Sequence, residues 1–417
     1  MEKIYDLVVI GGGPSGMMAA GTAAHNGARV ALLEKNNEPG RKLLITGNGR
    51  CNLAHDEPDP LRLSEHFGRN GRFLIPAFRR FGLVETLGFF RSWGLETVTQ
   101  RDGKIFPAKG LKASDVRKVL LEQMHRNGVT ILTRSPVVSL EREGDLITKA
   151  VTAGSVPFTG KSFIIATGGL SYPTTGSTGD GYDWAESLGH TVTPREPSIC
   201  PVSIKEAFCS ELMGVSLGNV SLSVYLSRGK TRKVTGEILF THFGITGPMV
   251  MNLSPLIAEG MKKGKVTLLL DLVPHLEKEL LEGWLLEGFQ AMHGGEVRSV
   301  LREILPKAVV ALVMKVSGVP EDRKTAQTTR EERRSLVETI KGLSMTPEGL
   351  LGYQWAVVTR GGVSLKEVAP VSMASKKIQN LFFAGEVLDI DGPTGGFNLQ
   401  ACWTTGFVAG SSASGCR

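Results

Sequence analysis

The chain opens with a short apolar run, followed by glycines and then by a stretch of small and apolar residues. Residues 5–10 are almost wholly apolar, which is typical of a strand buried on both faces of a parallel sheet. Residues 15–25 are rich in Ala and Met and predict a buried helix, which Asn26-Gly27 ends. Residues 28–33 predict a second buried strand. The pattern therefore predicts a β–α–β unit with a parallel sheet.

The rest of the chain changes between strand-like and helix-like patterns. Helices are predicted at 72–93, from Ser114 as N-cap to about 127, within 275–345 and up to residue 409, and strands at 95–99, 104–106, 129–132, 137–142, 146–153, 162–169 and 380–384. Short alternating runs within 195–271 predict a small antiparallel β unit. Because the strand-and-glycine pattern of the start returns near the end, we expect the two chain ends to build one sheet, with two insertions between them.

The glycines after the first strand have the spacing of a dinucleotide-binding turn. Gly11, Gly13 and Gly16 form G-x-G-x-x-G between the predicted strand and helix. Glu34 ends the second strand, in the place of the acid that accepts hydrogen bonds from a ribose hydroxyl. The alternative, a glycine-rich turn that holds nothing, does not account for strand, glycines, helix, strand and acid in register. The pattern predicts an ADP-containing cofactor.

Composition and charge narrow the class of protein only slightly. The 417 residues are 41% hydrophobic and 21% charged, which is ordinary for a soluble enzyme of two or three domains. The formal charge of +7 is the difference between 48 Lys/Arg and 41 Asp/Glu. Residues 61–118 hold twelve Lys/Arg against five Asp/Glu, so this region could contact RNA or another polyanion. From charge alone, a solvated protein surface is the favoured interpretation.

The number of cysteines and the lengths of the apolar runs indicate the cellular compartment of the protein. The five cysteines have neither C-x-x-C nor zinc spacing, so we expect reduced thiols, a cytoplasmic location and no metal site. No apolar run approaches the roughly 18 residues of a membrane span. The first predicted strand begins within four residues of the start, which leaves no room for a signal peptide.

Two later segments favour a flavin over a nicotinamide cofactor. A predicted strand ends in Ala166-Thr167-Gly168, and another ends in Gly385-Glu386, as in FAD enzymes with two dinucleotide-binding domains. The acid after the glycine binds the ribitol chain in such enzymes. A helix that begins near Gly396 would direct its N–H groups at the pyrimidine edge of the flavin and stabilise negative charge there.

Four longer motifs resemble one flavoprotein family over essentially the whole chain. They are GRKLLITGNGRCN (40–52), ATGGLSYPTTGSTGDGY (166–182), GEILFTHFGITGP (236–248) and FFAGEVLDIDGPTGGFNLQ (382–400). The chain thereby resembles the BaiN/RdsA-like family of NAD(P)/FAD-dependent oxidoreductases, which includes YhiN-type flavoproteins and an aminoacetone oxidase. Asn48, where relatives often carry glycine, is a small departure.

The resemblance implies an α/β fold with a discontinuous Rossmann-like FAD-binding domain of the two-dinucleotide-binding-domain flavoprotein type. It also implies an inserted β-barrel-like domain and a small helical insert. With the changes of pattern described above, we expect the FAD-binding domain at 1–194 and 356–417, the β-barrel-like insert at 195–274 and 346–355, and the helical insert at 275–345.

The resemblance further implies which residues hold FAD. The glycine turn with Pro14 and Ser15 would contact the pyrophosphate, and Glu34 with Lys35 the adenosine ribose. The residues implied along the rest of the cofactor are Arg41, Lys42, Val137 by its backbone, Ala166, Thr167, Gly168 and Gly385, with Glu386 on the ribitol and Gly396, Phe397, Asn398 and Leu399 at the isoalloxazine.

Candidate proton donors are few. Cys51 lies in the motif of residues 40–52, which is expected as a loop near the flavin, and His242 lies in the motif of residues 236–248. Each has a structural alternative, a buried thiol and a hydrogen-bonded histidine at a domain junction. Tyr172 and Arg50 are further candidates, for a hydrogen bond to substrate and for an anion contact, with packing and a salt bridge as their alternatives. We expect His242 and Cys51 to be the catalytic residues.

Activities differ within the family, so three functions stay open. The first is hydride delivery from flavin N5 to an activated C=C bond, either of rRNA uridine or of a conjugated enone. The second is oxidation of a small amine such as aminoacetone with O2. The third is a non-catalytic flavin-bearing module that binds RNA. The sequence carries no second glycine fingerprint for a separate nucleotide domain, so NADH or NADPH, if it is the electron donor, must dock against the flavin itself. The oligomeric state is not predicted.

Overall fold

The computed structural model describes residues 4–227 and 231–415. Its helices are α1 (Pro14–His25), α2 (Arg41–Ile45), α3 (Pro60–Glu65), α4 (Ile75–Arg80), α5 (Leu83–Ser92), α6 (Ala113–Arg126), α7 (Asp180–Ser187), α8 (Phe208–Glu211), α9 (Pro248–Lys263), α10 (Lys278–Ala291), α11 (Val297–Leu301), α12 (Lys307–Ser317), α13 (Arg330–Lys341) and α14 (Phe397–Ala413). Short 3-10 turns include Gly68–Leu74 and Pro173–Thr175.

The strands are more numerous and mostly short. They are β1 (Ile4–Ile10), β2 (Val30–Leu33), β3 (Ala54–His55), β4 (Thr97–Thr99), β5 (Lys104–Pro107), β6 (Thr130–Leu132), β7 (Val137–Glu143), β8 (Leu146–Thr152), β9 (Pro157–Ile165), β10 (Glu196–Ser198), β11 (Val202–Ile204), β12 (Ser216–Leu226), β13 (Arg232–Thr241), β14 (Gly244–Thr246), β15 (Val266–Asp271), β16 (Leu343–Met345), β17 (Pro347–Leu350), β18 (Val358–Arg360) and β19 (Leu381–Phe383).

The chain divides into two compact units. The first contains residues 1–198 and 353–417, and the second contains residues 199–352. The helices of 275–345 and the strands of the second unit share one apolar core. The expected division into an FAD-binding domain and two inserts with the limits given above stays a prediction.

A seven-stranded sheet forms the centre of the first unit. Its order is β6-β2-β1-β9-β8-β7, and β19 pairs with β9. The pairs among β1, β2, β6, β9 and β19 are parallel, whereas β7 and β8 form an antiparallel hairpin that extends the sheet through β9. Because β1 and β19 both lie beside β9, the expected mixed α/β fold, in which the two ends of the chain build one Rossmann-type sheet, is confirmed.

Helices α1 and α14 pack closely against each other next to this sheet. A Cβ on Gly406 would lie 2.4 Å from the carbonyl oxygen of Ser15, and one on Gly410 would lie 2.3 Å from that of Ala19. Both helices are buried along nearly their whole length. Glycine is therefore required where the first and last helices of the chain meet.

Three local predictions differ from the structure. The helix predicted at 72–93 is broken at Phe81-Gly82, and α5 begins afresh there, with the Glu85 carboxylate accepting the Gly82 N–H at 2.9 Å. Ser114 is not an N-cap, because α6 begins at Ala113. The segment 40–52, expected as a loop, contains the short helix α2. None of these differences changes the order of the predicted strands and helices.

The second unit is built on an antiparallel sheet with the order β16-β15-β12-β13-β14-β11-β17. Alternate positions of its strands are buried in an apolar core that also takes residues from α9 to α13. The antiparallel β pattern expected for 195–271 and the helical pattern expected for 275–345 are both observed. Within the described residues, no helix combines the length and the apolar character that crossing a membrane requires.

Candidate functional site

The turn between β1 and α1 leaves the N-terminus of α1 without a side-chain cap. Gly13 is the extended N-cap residue, and Pro14 is the first residue of the helix. A Cβ on Gly13 would meet only the carbonyl oxygen of Ala166, at 3.9 Å, so there is space in front of it. A Cβ on Gly16 would lie 1.9 Å from the oxygen of Gly11, so the helix packs on the turn only with glycine there. Uncapped N–H groups and the helix dipole favour an anion at this place.

The buried carboxylate of Glu34, at the end of β2, holds this turn. Its Oε2 accepts the backbone N–H of Gly12 at 2.8 Å. Its Oε1 accepts both the backbone N–H and the side-chain amide of Asn36, each at 2.7 Å. Nη1 of Arg41 donates to Oδ1 of Asn36 at 3.0 Å. The structure therefore brings the glycine turn, Glu34 and Arg41 together.

Val137 and Lys35 flank Glu34 from two sides. Val137 is a buried residue at the start of β7, and the N–H of Ser135 just before it donates to the oxygen of Glu34 at 2.9 Å. The ammonium of Lys35 forms an ion pair with Asp180 at the start of α7, at 2.7 Å. Val137 thus lies near the Glu34 end of the site, and Lys35 ties that end to α7.

The backbone that follows β9 contacts the glycine turn. A Cβ on Gly11 would lie 2.6 Å from the oxygen of Ala166, so these backbones touch. The hydroxyl oxygen of Thr167 is buried and has no hydrogen-bond partner within the described residues. Gly168 follows with φ of +74°. The hydroxyl of Thr167 faces α7, since a Cβ on Gly181 would lie 2.2 Å from it.

Glu386 is the centre of a buried polar cluster. Its Oε2 lies 2.8 Å from Nζ of Lys42. Its Oε1 accepts the hydroxyl of Ser171 at 3.0 Å and the backbone N–H of Thr359 at 2.7 Å. Ser171 and Thr359 were not predicted as site residues, although Ser171 lies within the motif of residues 166–182. Four segments far apart in the chain therefore meet at this carboxylate.

Contact between Ser15 and Gly385 joins the first glycine motif to the last acidic motif. The hydroxyl of Ser15 donates to the oxygen of Ala384 at 3.3 Å, and a Cβ on Gly385 would lie 2.3 Å from that hydroxyl. Both motifs thus line one continuous part of the first unit.

The side chain of Asn398, in the first turn of α14, fixes the loop that precedes this helix. Gly396 is the N-cap residue with φ of +100°, and no side chain caps the helix. The amide of Asn398 accepts the N–H of Gly392 and donates to its oxygen, both at 2.8 Å. Phe397 is buried and Leu399 is half-buried. This second uncapped helix end also favours negative charge in front of it.

Two histidines that were not predicted pack on Phe397. The ring centroids of His55 and His66 lie 4.4 and 4.1 Å from that of Phe397. Nδ1 of His55 is 3.1 Å from the oxygen of Gly395. Burial, and then the charge of His55, lower the pKa of His66. No local sequence pattern identifies these histidines, since the contact joins β3 and α3 to α14.

Cys51 and His242 lie in different units of the protein. Cys51 is fully buried, and its burial raises the pKa of the thiol to about 12, although the Thr46 hydroxyl lowers it. His242 is exposed at the turn after β13, and its ring packs edge-on against Phe243 at 4.9 Å. The thiol stays protonated at neutral pH. The catalytic role of both residues stays a prediction.

Tyr172 and Arg50 also have defined surroundings. Tyr172 has φ of +51° and donates its N–H to the oxygen of Tyr353 at 2.9 Å. The guanidinium of Arg50 lies 4.4 Å from the ring centroid of Phe106, so it makes a cation–π contact. Their suggested contacts with a substrate stay predictions.

Most of the basic side chains in the region of residues 61–118 are exposed. Its ion pairs in the described structure join Arg91 to Glu96, Lys104 to Asp102, Arg117 to Glu38 and Lys118 to Glu122. Its arginines on α3, α4 and the Gly68–Leu74 turn form no ion pair with a carboxylate of the described residues. A contact of this region with RNA stays a prediction.

Comparison with known proteins identifies the family. Residues 5–412 match the family described as HI0933-like protein Rossmann domain. The chain is 32% identical over 411 residues to a 3-dehydro-bile acid delta(4,6)-reductase of Clostridium scindens, covering 97% of this chain and 98% of the relative. It is 29% identical to a ribosomal RNA dihydrouridine synthase of Haemophilus influenzae, covering 99% of this chain and 100% of the relative.

Solved structures support the same fold. A 3-ketosteroid-delta4-(5alpha)-dehydrogenase from Rhodococcus jostii superposes with a TM-score of 0.55 at 16% identity, covering 99% of this chain and 97% of the other. The family match and the full-length relatives confirm the family resemblance predicted from the four motifs. Because the family match spans nearly the whole chain, this protein belongs to the HI0933-like Rossmann family.

Proposed function

We propose that this protein is an FAD-dependent oxidoreductase that transfers a hydride from reduced FAD to an activated C=C bond of its substrate. The broad class follows from the family and from full-length similarity to a reductase. One observation carries the finer proposal. The names of the two relatives both describe saturation of a conjugated C=C bond, in an oxo-bile acid and in the uracil ring of rRNA. The substrate class we propose is therefore a conjugated carbonyl compound, with rRNA uridine and a small enone as its two forms.

The residues of the first unit fit FAD. The space in front of Gly13 and the uncapped N-terminus of α1 are the features that a diphosphate requires. Glu34 would hold the adenosine ribose, since its carboxylate oxygens have remaining acceptor capacity. Glu386 would hold the ribitol, with Lys42 supplying the compensating charge.

The N-terminus of α14 would face the isoalloxazine ring. When bound, FAD supplies a two-electron hydride donor. The free N–H groups of α14 stabilise negative charge in front of Gly396, and this favours the reduced ring. Phe397, which is buried, and His55, which is half-buried, would shield this end of the site from water. NADH or NADPH would be the electron donor that reduces the ring.

Purification with the native cofactor tests this proposal. The yellow cofactor is released by heat and identified by chromatography, and the protein is then reduced without oxygen by NADH or NADPH. Oxidation of the reduced flavin by 2-cyclohexen-1-one, or by an rRNA fragment with formation of dihydrouridine, is the expected result. Reduced flavin that reacts with neither acceptor but quickly forms peroxide with O2 in the presence of aminoacetone would replace the proposal with an amine oxidase.

A further inference from the structure

Asp391 and Arg360 lie beside the loop that leads into α14, and both have unused hydrogen-bonding capacity. Oδ2 of Asp391 accepts the hydroxyl of the buried Ser198 at 3.1 Å, and Oδ1 has no partner in the described structure. We infer that Asp391 and Arg360 bind the carbonyl oxygen of the substrate and that Asp391 donates the proton of the reduction. This inference rests on the proposed function and adds the group that the hydride transfer requires.

The fold holds Asp391 close to the N-terminus of α14. Asp391 directly precedes Gly392, whose N–H and oxygen are both bound by the side chain of Asn398, the second residue of α14. On the other side, the amide of Asn70 donates to the oxygen of Asp389 at 2.7 Å. The backbone of Asp391 is thus fixed from two sides, next to the helix end that would face the isoalloxazine.

Arg360 approaches Asp391 from β18. In β18, Val358 pairs with Ser198, the residue whose hydroxyl donates to Asp391, and Arg360 lies two residues further along on the same side of the strand. Arg360 is half-buried, and no carboxylate of the described residues forms an ion pair with it. A half-buried guanidinium without an ion pair is suited to binding an oxygen that becomes negative.

The charges around Asp391 decide its protonation. Burial is the largest influence and raises the pKa of Asp391, and the negative charge of Asp389 raises it further. The positive charges of Arg360 and Arg69 and the Ser198 hydrogen bond lower the pKa of Asp391, and the balance is a raised value. Asp391 therefore keeps its proton to a higher pH than an exposed aspartic acid.

The reaction needs one hydride and one proton. Bound FAD, reduced by a nicotinamide or another two-electron donor, would supply the hydride, which adds to the β-carbon of the conjugated C=C bond. Negative charge then develops on the carbonyl oxygen, where the guanidinium of Arg360 stabilises it. Asp391 transfers its proton to this oxygen to give an enol, which tautomerises in water so that the α-carbon gains the second hydrogen of the saturated product. A solvent proton then restores the Asp391 carboxyl group. The ligands that fit are α,β-unsaturated ketones and cyclic amides such as uracil.

Three variants of the FAD-loaded full chain separate binding from proton donation. Asp391→Asn keeps a hydrogen-bond donor but has no acidic proton, whereas Asp391→Leu and Arg360→Met lose the donor. The saturated ketone cyclohexanone is titrated by the flavin difference spectrum, and 2-cyclohexen-1-one is the acceptor for anaerobically reduced enzyme. Asp102→Asn, at an exposed acid of the β4–β5 turn, is the control.

We expect Asp391→Asn to bind cyclohexanone within about threefold of the wild type and to reduce 2-cyclohexen-1-one at least about 100-fold more slowly. Its rate should also lose the decrease at high pH that the wild type shows as Asp391 ionises. Asp391→Leu and Arg360→Met should bind cyclohexanone about tenfold more weakly. FAD content, absorbance and thermal midpoint should match those of the control.

Different results would overturn the proposed function and the roles of Asp391 and Arg360. If the wild-type reduced flavin reacts with neither 2-cyclohexen-1-one nor an rRNA fragment, the proposed function is wrong and this inference falls with it. If the wild type reacts and Asp391→Asn reacts equally fast with the same pH profile, the inference alone is wrong. Equal cyclohexanone binding in Asp391→Leu and the wild type would also overturn the assignment of the carbonyl site.

Discussion

Nζ of Lys42 lies 2.8 Å from Oε2 of Glu386, although 344 residues separate them in the chain. The same ammonium donates to the hydroxyl of Ser171 at 2.5 Å, and that hydroxyl donates to Glu386. The side chains of Lys42 and Glu386 are only 21% and 14% exposed, so water screens this pair weakly. The pair therefore connects the motif of residues 40–52 to the motif of residues 382–400 at the proposed ribitol position.

Lys42→Met should destabilise the protein because it leaves Glu386 charged and without its cation. We expect the free energy of unfolding of the cofactor-free chain, measured by urea, to fall by about 1–3 kcal/mol. Lys104→Met is the control, because its partner Asp102 is 53% exposed and surface pairs contribute about 1 kcal/mol or less. A double variant with Glu386→Gln should recover part of the loss. Equal losses in Lys42→Met and Lys104→Met would contradict this account.

Gly13→Ala should reduce FAD affinity with little change in stability, whereas Gly16→Ala should reduce stability. The added Cβ at Gly13 meets no atom closer than 3.9 Å, so the cofactor-free protein should unfold within about 1 kcal/mol of the wild type. The same methyl group occupies the space proposed for the diphosphate, so FAD affinity should fall at least about tenfold.

At Gly16 the Cβ would lie 1.9 Å from the oxygen of Gly11, so the cofactor-free protein should lose about 3 kcal/mol or more. Urea unfolding and fluorescence titration with FAD measure the two quantities separately. Full FAD affinity in Gly13→Ala would show that the diphosphate binds elsewhere. Gly88→Ala, at a helix position with open space around the Cβ, controls for the substitution itself.

Glu34→Gln should weaken FAD binding more than it weakens the fold. The amide has the shape of the carboxylate, but its NH2 group would face either the Gly12 N–H or the Asn36 N–H, both of which are donors. We expect FAD affinity to decrease about 10- to 100-fold in a fluorescence titration. Glu38→Gln is the matched control, since Glu38 forms a partly exposed ion pair with Arg117. Unchanged affinity in Glu34→Gln would remove Glu34 from the proposed ribose site.

The sequence predicts the β1–α1–β2 unit correctly because every step there is local. An apolar run, three glycines and a small-residue helix each indicate their own element from neighbouring residues alone. The break at Phe81-Gly82 is different. Phe81 stacks on Phe407 of α14, with ring centroids 4.2 Å apart, and no periodicity within 72–93 contains that information. Local patterns therefore predicted the elements, whereas tertiary packing decided where one of them is interrupted.

The residues of the candidate site also fall into two groups, those that local motifs predict and those that only tertiary contacts reveal. Gly13, Glu34 and Glu386 follow strands with recognisable endings, so their positions could be predicted from motifs. Thr359, His55 and Asp391 could not, because each acts through a partner in another segment: Glu386, Phe397 and Ser198. A single sequence does not show which residues of distant segments become neighbours.

Acid sensitivity should arise in part from His190, whose side chain is fully buried. Its Nε2 is 2.9 Å from the Ser375 hydroxyl, and its Nδ1 is 3.4 Å from Oε2 of Glu367. Burial lowers the pKa of His190, and the Lys377 charge lowers it further, although Glu367 opposes the shift. Burial opposes ionisation of Glu367, but Lys377 and the Thr191 hydrogen bonds outweigh it and lower its pKa to about 2. Glu367 therefore stays ionised above pH 5.

The unfolded chain binds a proton at His190 near pH 6.5, whereas the folded chain resists it to lower pH. The stability due to neutral His190 is therefore complete above about pH 6.5 and decreases below it, by at most about 1.4 kcal/mol per pH unit, until the folded pKa is reached. His190→Gln keeps a polar group for Ser375 but cannot titrate, so its free energy of unfolding should change less between pH 7.5 and 5. His25→Gln, at the exposed end of α1, should retain the wild-type slope in the same urea measurements. Identical slopes in His190→Gln and the wild type would show that the acid sensitivity arises from other groups.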